Sequence, residues 1–399
     1  MASPERSNRG CDKVMISIHV PFLDLNMQYA SLRCEMDAAV LGVLASGNFV
    51  GGPTVAQFEE SFASFCGAKY AVGVANGTDA ITLALRAAGV GPGHQVLVPA
   101  NSFFASAEAV SNAGATPIFV DVDPSTFHMS PVLAAAAITE STRAILPVHL
   151  YGRAMDLRPI VELASRHKLA IIEDCAQAHG AVMNNETIGS SGRLTCYSFY
   201  PGKNLGAYGD GGAITTNDPG LARNLRVLRE HGSAVKYQHD VIGWNSRLDA
   251  LQAAVLSVKL PHLEGWNRAR NEKATGLAKG LVGCATLAPE IPSNSAEHVF
   301  HLFVVRSTAR ETLQKYLADR GVQTGIHYPM PLHLTGAYRA SGGGPGTMPV
   351  TETLASEILS LPMFPELTRG QIDHIAACIH EFEREYKPQP PEAMVGLTL

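Results

Sequence analysis

The sequence is poor in charge, in clustered cysteines and in long apolar runs. Charged residues make up 17% of the 399 positions and hydrophobic ones 46%, which excludes a disordered chain or a coiled coil. A net charge of −5 with no basic region argues against a nucleic-acid partner, which calls for a basic face. A polyanionic ligand must then be held by local groups and not by a global field. Seven cysteines (Cys11, Cys34, Cys66, Cys175, Cys196, Cys284 and Cys378) form no CxxC pair and are odd in number, the pattern of free thiols in a reducing compartment. Despite fifteen histidines there is no HExxH and no tight His/Cys cluster, so no metal is expected. No apolar run approaches the roughly 20 residues that span a bilayer. Met1 to Val14 lacks the apolar core of a signal peptide and reads as a frayed tail. The expectation is a soluble, cytoplasmic protein with neither a membrane nor a nucleic-acid partner.

From about residue 54 the chain alternates between helix and strand patterns. Val55, Phe58, Phe62 and Phe65 recur at helical spacing behind Pro53. Short apolar strands follow at Tyr70 to Val74, Gln95 to Val98, Pro117 to Val120, Arg143 to Pro147 and Leu169 to Ile172, with helices at Ala80 to Ala88, Phe103 to Ala113 and Asp156 to His167. This rhythm predicts an α/β fold, a largely parallel sheet sandwiched by helices. After Lys259 it weakens. Pro261 to Leu281, Ala309 to Arg320, Thr351 to Ser360 and Arg369 to Glu383 read as helices, Val299 to Val305 as a strand, and residues 341–346 as a glycine loop without structure of its own. The expected organisation is a flexible tail over 1–19, a large α/β domain over 20–262 including an N-terminal arm, and a smaller α+β domain over 263–399.

Chemistry concentrates in two stretches. The strand Leu169 to Ile172 runs into Glu173-Asp174-Cys175-Ala176-Gln177, and Ser198 precedes a glycine-rich turn carrying Lys203. A lysine held near an aspartate at a strand end is what a pyridoxal phosphate enzyme requires. The amine forms a Schiff base with the cofactor, and the carboxylate keeps the pyridine nitrogen protonated so that the ring draws electrons. An isolated loop lysine would read as a surface group; Asp174, Gln177 and Ser198 beside it in this order favour the cofactor. Gly77 and Thr78 stand at a strand-to-helix junction, where free amides and the helix dipole make an anion site. Thr78 would equally serve as a plain N-cap. Phe103 can stack on a flat ring or pack in a core. Asn245 and Arg247, taken alone, read as a helix-capping turn, and residues 327–333, beginning His327-Tyr328, as a loop closing a pocket.

These motifs resemble the DegT/DnrJ/StrS sugar aminotransferases, a family of fold type I. The resemblance rests on Ala75-Asn76-Gly77-Thr78-Asp79, Pro99-Ala100-Asn101-Ser102-Phe103, Glu173 to Gly180, Ser198 to Asn204 and Gly243 to Asp249, in the family's order. It covers about nine-tenths of the chain. It implies a homodimer with active sites at the subunit interface. Lys203 would be the Schiff-base lysine and Asp174 the partner of the pyridine nitrogen. Gln177 and Phe103 would lie against the ring. Gly77, Thr78 and Ser198 would hold the phosphate, joined by Asn245 of the other subunit, and His327 and Tyr328 would face the sugar. Residues 147–152, 198–212 and 236–245 most resemble the branch that aminates dTDP-linked 3-keto deoxysugars, with L-glutamate as donor. Cys175, Ser102 and Trp244 depart from the common alanine, threonine and tyrosine or phenylalanine. A 4-keto sugar or an aminocyclitol precursor stays open as substrate, as does a non-catalytic regulator that binds the cofactor.

Overall fold

The computed structural model describes residues 18–392. Most of the expected tail, with Cys11, lies outside them. The six other cysteines are free thiols. The alternating segments build one seven-stranded sheet from β1 (Tyr70–Val74), β2 (Gln95–Pro99), β3 (Thr116–Val120), β4 (Thr142–Ile145), β5 (Ala170–Asp174), β6 (Leu194–Ser198) and β7 (Gly212–Thr216), in the spatial order β1-β7-β6-β5-β4-β2-β3. β7 runs antiparallel to β1 and β6. The remaining pairs are parallel.

The strands are apolar almost throughout because both faces are covered. Val96 and Val98 enter one core, with Leu83, Val110 and Leu225 from the helices Gly77–Ala87, Phe104–Asn112 and Pro219–Arg229. Leu97, between them in sequence, points to the opposite face, with Ile160 and Leu163 of the helix Arg158–His167. That is the two-residue period of a strand. On the same opposite face, Tyr197 and Phe199 pack against Phe58 and Phe62 of the helix Gly52–Cys66, mostly edge to face.

A second, two-stranded antiparallel sheet pairs β8 (Phe303–Arg306) with β9 (Ile358–Leu361). It shares a core with the helices Leu263–Gly280, Arg310–Ala318 and Arg369–Tyr386. Here the sequence reading needs correction. The helix expected over Thr351 to Ser360 ends at Glu357, and Ile358-Leu359-Ser360-Leu361 leaves as a fully buried strand. A four-residue apolar run does not announce its period. The helix expected from Pro261 opens instead with a tight 3-10 turn, Leu260–His262. The glycine loop is tethered: the Glu352 carboxylate accepts from the amides of Gly346 and Met348.

β5 and β6 lie side by side and parallel, with Asp174 opposite Cys196. Their carboxyl ends carry Asp174 and Ser198, at the edge where open α/β sheets bind ligands.

Candidate active site

A cavity of about 640 Å³ opens over this edge. Gly77, Thr78, Phe103, Asp174, Gln177, Ser198, Lys203, His327 and Tyr328 all line it. Residues up to 251 positions apart (77 to 328) are thus gathered by the sheet into one space. Asn245 is not among them. It is exposed, bridges to Glu230, and belongs to the turn whose Ser246 hydroxyl accepts from the amide of Ala75 at 3.2 Å.

The helix Gly77–Ala87 begins at the end of β1. Its N-cap is Asn76, whose side-chain oxygen accepts from the amide of Asp79 at 2.8 Å. This removes the alternative of Thr78 as the cap. Among the described residues the amides of Gly77 and Thr78 have no acceptor, as a helix start leaves them. Glycine at 77 is a matter of space: a Cβ there would stand 2.7 Å from the Cβ of Ser198. The first turn therefore lies directly on the Ser198 hydroxyl. Two free amides, a positive dipole end and a hydroxyl form an anion cradle.

Asp174 is buried and oriented from both oxygens. Oδ2 accepts from the Ser106 hydroxyl at 2.8 Å, and Ser106 in turn exchanges a hydrogen bond with Ser102 at 2.7 Å. Oδ1 accepts from the amide of Ala176 at 3.1 Å. Facing this carboxylate, the Lys203 amine is pushed down to about 8 by burial, against the opposing pull of Asp174. Among the described residues its Nζ has no hydrogen-bond or ion-pair partner. Such an amine is available to react near neutral pH. The loop that carries it is tight, since a Cβ on Gly206 would fall on the Pro201 carbonyl.

Gln177 is held between two tyrosines. Its Oε1 accepts from the backbone amide of Tyr151 at 2.6 Å, and its Nε2 donates to the Tyr328 hydroxyl at 3.2 Å. Tyr151 sits in the left-handed region (φ 60°), uncommon for a bulky residue. From there its hydroxyl also reaches the His327 carbonyl at 2.5 Å. The Tyr328 ring lies 5.3 Å from that of Phe103. Phe103 is 53% exposed, which decides against the core role that competed for it. His327 stacks on Phe22 at 5.7 Å and bonds the Ser360 hydroxyl at 2.8 Å through Nδ1. Burial, with Lys203 nearby, pushes it down to about 4, so the imidazole is neutral at pH 7.

The matching family model, described as the DegT/DnrJ/EryC1/StrS aminotransferase family, covers residues 31–380. The chain belongs to this family. Its relatives in the family include the dTDP-3-amino-3,4,6-trideoxy-alpha-D-glucose transaminase of Streptomyces venezuelae, 47% identical over 91% of this chain and 96% of that protein. A Geobacillus stearothermophilus protein described as a pleiotropic regulatory protein is 46% identical over 92% of this chain and all of that one. The crystal structure of S. venezuelae DesV in complex with a ketimine intermediate superposes with a TM-score of 0.89 at 46% identity, covering 91% of this chain and 98% of that one.

As a member of the aminotransferase family the chain has a cavity wall that sequence reasoning missed. Phe22 and Leu23 come from before the first helix (Leu25–Ser46), Tyr200 and Asp210 from the lysine loop, and Arg270 and His301 from the C-terminal part. Tyr200 and Asp210 could have been found from their closeness to Lys203. Arg270 carries no such signal; in sequence it is one of several basic residues along a helix. Among the described residues no cluster could hold a metal ion, and no helix is long and apolar enough to cross a membrane.

Proposed function

We propose that this chain is a pyridoxal phosphate-dependent aminotransferase that moves an amino group from L-glutamate to a nucleotide-linked 3-keto deoxysugar, of the dTDP-3-keto-6-deoxyhexose class. The residues fit the cofactor. The cradle of Gly77, Thr78 and Ser198 suits its phosphate, and the oriented Asp174 carboxylate suits its pyridine nitrogen. The exposed Phe103 ring offers a stacking face, Gln177 an amide for the ring's edge, and the unpaired Lys203 amine a covalent anchor. Bound here, the group supplies an electron sink for the donor's α-carbon. What this chain supplies is position and proton handling. Asp174 would hold a proton at the ring nitrogen, and Lys203 Nζ would anchor the group and serve as the base and then the acid that moves the donor's proton. Neutral His327, with Tyr328 beside it on the cavity wall, would face the sugar.

The observation that carries the reading is the Lys203 amine, unpaired and lowered to about 8, in one cavity with an oriented Asp174. The test is borohydride reduction of cofactor-loaded protein followed by peptide mapping. The label belongs on Lys203; a label elsewhere overturns the assignment.

The 3-keto position and the dTDP carrier rest on likeness to the S. venezuelae transaminase. A panel of dTDP-3-keto and dTDP-4-keto sugars decides between them and the 4-keto or aminocyclitol alternative. The regulatory reading draws on the Geobacillus relative. Against it stands a complete set of groups for chemistry, and a change in visible absorbance on adding L-glutamate separates the two.

The working unit on this reading is a homodimer with shared sites, Asn245 completing the phosphate cradle of the other subunit. Its exposure and its absence from the cavity of its own chain support this. Mixing Lys203→Ala with Asn245→Ala subunits should then restore activity above that of either parent. A mixture of exchanging subunits no more active than the sum of its parts removes Asn245 from that role.

A further inference from the structure

Arg270, in the helix Leu263–Gly280, lines the cavity yet is only 4% exposed. Its guanidinium is fastened on one side: Nη1 donates to the backbone carbonyls of Met363 at 2.7 Å, Phe300 at 3.1 Å and His301 at 3.5 Å. The other side is free. Nε is buried and has no acceptor, and among the described residues Nη2 has none either. Burial lowers the group to about 10, so it remains a cation at neutral pH. Among the described residues no carboxylate makes an ion pair with it, and Glu366 acts on it only from beyond that range. A buried cation whose only partners are neutral carbonyls is expensive unless an anion completes it.

The cavity's other charged groups have tasks. Lys203 and Asp174 meet the cofactor, and Asp210 is an anion. That leaves Arg270 as the fixed cation for an incoming substrate. Its Nη2 is the donor left to meet a carboxylate entering the cavity, with the buried, acceptor-less Nε leaving the cation uncompensated beside it. A nucleotide diphosphate could use the same charge, but it is bulky and doubly charged and suits an open mouth better than a corner this deeply buried.

We propose that Arg270 anchors a carboxylate of the amino donor and so makes the site selective for an amino acid in one half-reaction while playing no part in binding the keto sugar. The inference rests on the transaminase reading above. It also accounts for the carbonyl cluster at Nη1, which holds the guanidinium in one orientation before the donor arrives.

The experiment compares the two half-reactions on cofactor-loaded protein by stopped-flow absorbance. L-Glutamate drives one direction, and the aminated nucleotide sugar drives the same spectral change from the other substrate. Arg270→Lys and Arg270→Gln should lower the glutamate rate constant per unit concentration on the order of 10- to 100-fold, with the amino-sugar reaction within about threefold of native. Equal losses in both directions would make Arg270 structural and overturn the proposal, as would no loss in either. Sugar-side loss alone would assign the cation to the diphosphate and overturn it too. Because the arginine also ties three carbonyls, unstable variants are covered by a measurement on native protein. Of glutamate's two monoamides, replacement of the α-carboxylate or of the side-chain carboxylate, one should react at least tenfold more slowly than glutamate. Two amides as fast as glutamate sink the subsite while leaving the transaminase intact. Native protein that answers neither glutamate nor amino sugar loses the transaminase reading itself, and the subsite with it.

Discussion

Lys203 is carried by a loop whose Gly206 carbonyl is held from the other side by Lys259. Lys259 closes the helix Ala250–Lys259 beneath the loop, fully buried, its Nζ donating to the Gly206 carbonyl at 2.7 Å and lying 4.2 Å from the centroid of the Tyr208 ring. Lys203 sits on the cavity side of that loop, and its Nζ has no partner among the described residues. Burial pushes both amines down to about 8, so the lowered value alone does not tell them apart. Their surroundings do. One amine is occupied by a carbonyl and an aromatic face and holds the backbone in place; the other faces a cavity with an aspartate across it. Perturbed titration marks a functional group only where geometry leaves the group something to do.

Turnover is where the two should differ most. Lys203→Ala should abolish amino transfer in a steady-state assay with L-glutamate and a keto sugar, a loss of several orders of magnitude. Lys259→Met should keep the covalent link to the cofactor and lose activity only several-fold, through a looser lysine loop. A Lys259→Met protein as inactive as Lys203→Ala would break the division between them.

Stability should separate them in the opposite sense. Lys259→Met strands the Gly206 carbonyl in the interior and should cost about 1–3 kcal/mol in denaturant unfolding of apoprotein. Lys203→Met should stabilise apoprotein by roughly 1–2 kcal/mol at pH 7, because an unpaired, desolvated ammonium is replaced by an apolar chain. The sign of the pH dependence follows from linkage. Lys203 titrates near 8 in the folded protein and near the ordinary lysine value of about 10.4 when unfolded. Its cost is therefore complete below about pH 8 and fades as pH rises toward 10.4, and the advantage of the methionine variant should fade with it. A Lys203→Met protein less stable than native at pH 7 would mean that the loop needs this amine for its fold.

The same contrast shows what could be read from sequence. Lys203 was legible because its turn is rich in glycine and follows a strand, and Asp174 because it ends an apolar run. The cavity floor at β1, β5 and β6 follows from such local signals. The antiparallel β7 was missed, its Gly-Ala-Ile-Thr-Thr being short and half polar, and so was the helix Leu25–Ser46, which has only three fully buried residues. Lys259 was invisible as a buried group, since a lysine at a helix end reads as a solvated C-terminal charge. Arg270 and His301 were invisible because their relation to the cavity is made by contacts across 30 or more positions and by backbone carbonyls, which carry no residue identity. Thr78 is the cap considered from sequence, and Asn76 emerges as the cap only once the helix start at Gly77 is known.

The smallest effect expected is also the most specific to Lys203. Capture of pyridoxal phosphate by apoprotein requires a neutral amine, so its initial rate should climb about tenfold per pH unit below the Lys203 midpoint and level off above about 8. Lys259 shares the lowered value but is shut off from the cavity, so Lys203→Ala should show no such profile. Asp174 pulls the other way from burial, because its charge favours the ammonium. Asp174→Asn removes that charge and leaves burial alone, so the midpoint should move below 8 by a fraction of a unit to about one unit. Capture at pH 7 would then be faster in a variant whose amino transfer is strongly impaired. An unchanged midpoint in Asp174→Asn would mean that the carboxylate does not act on the Lys203 ammonium across the cavity, and a rise would mean that burial was not what lowered it.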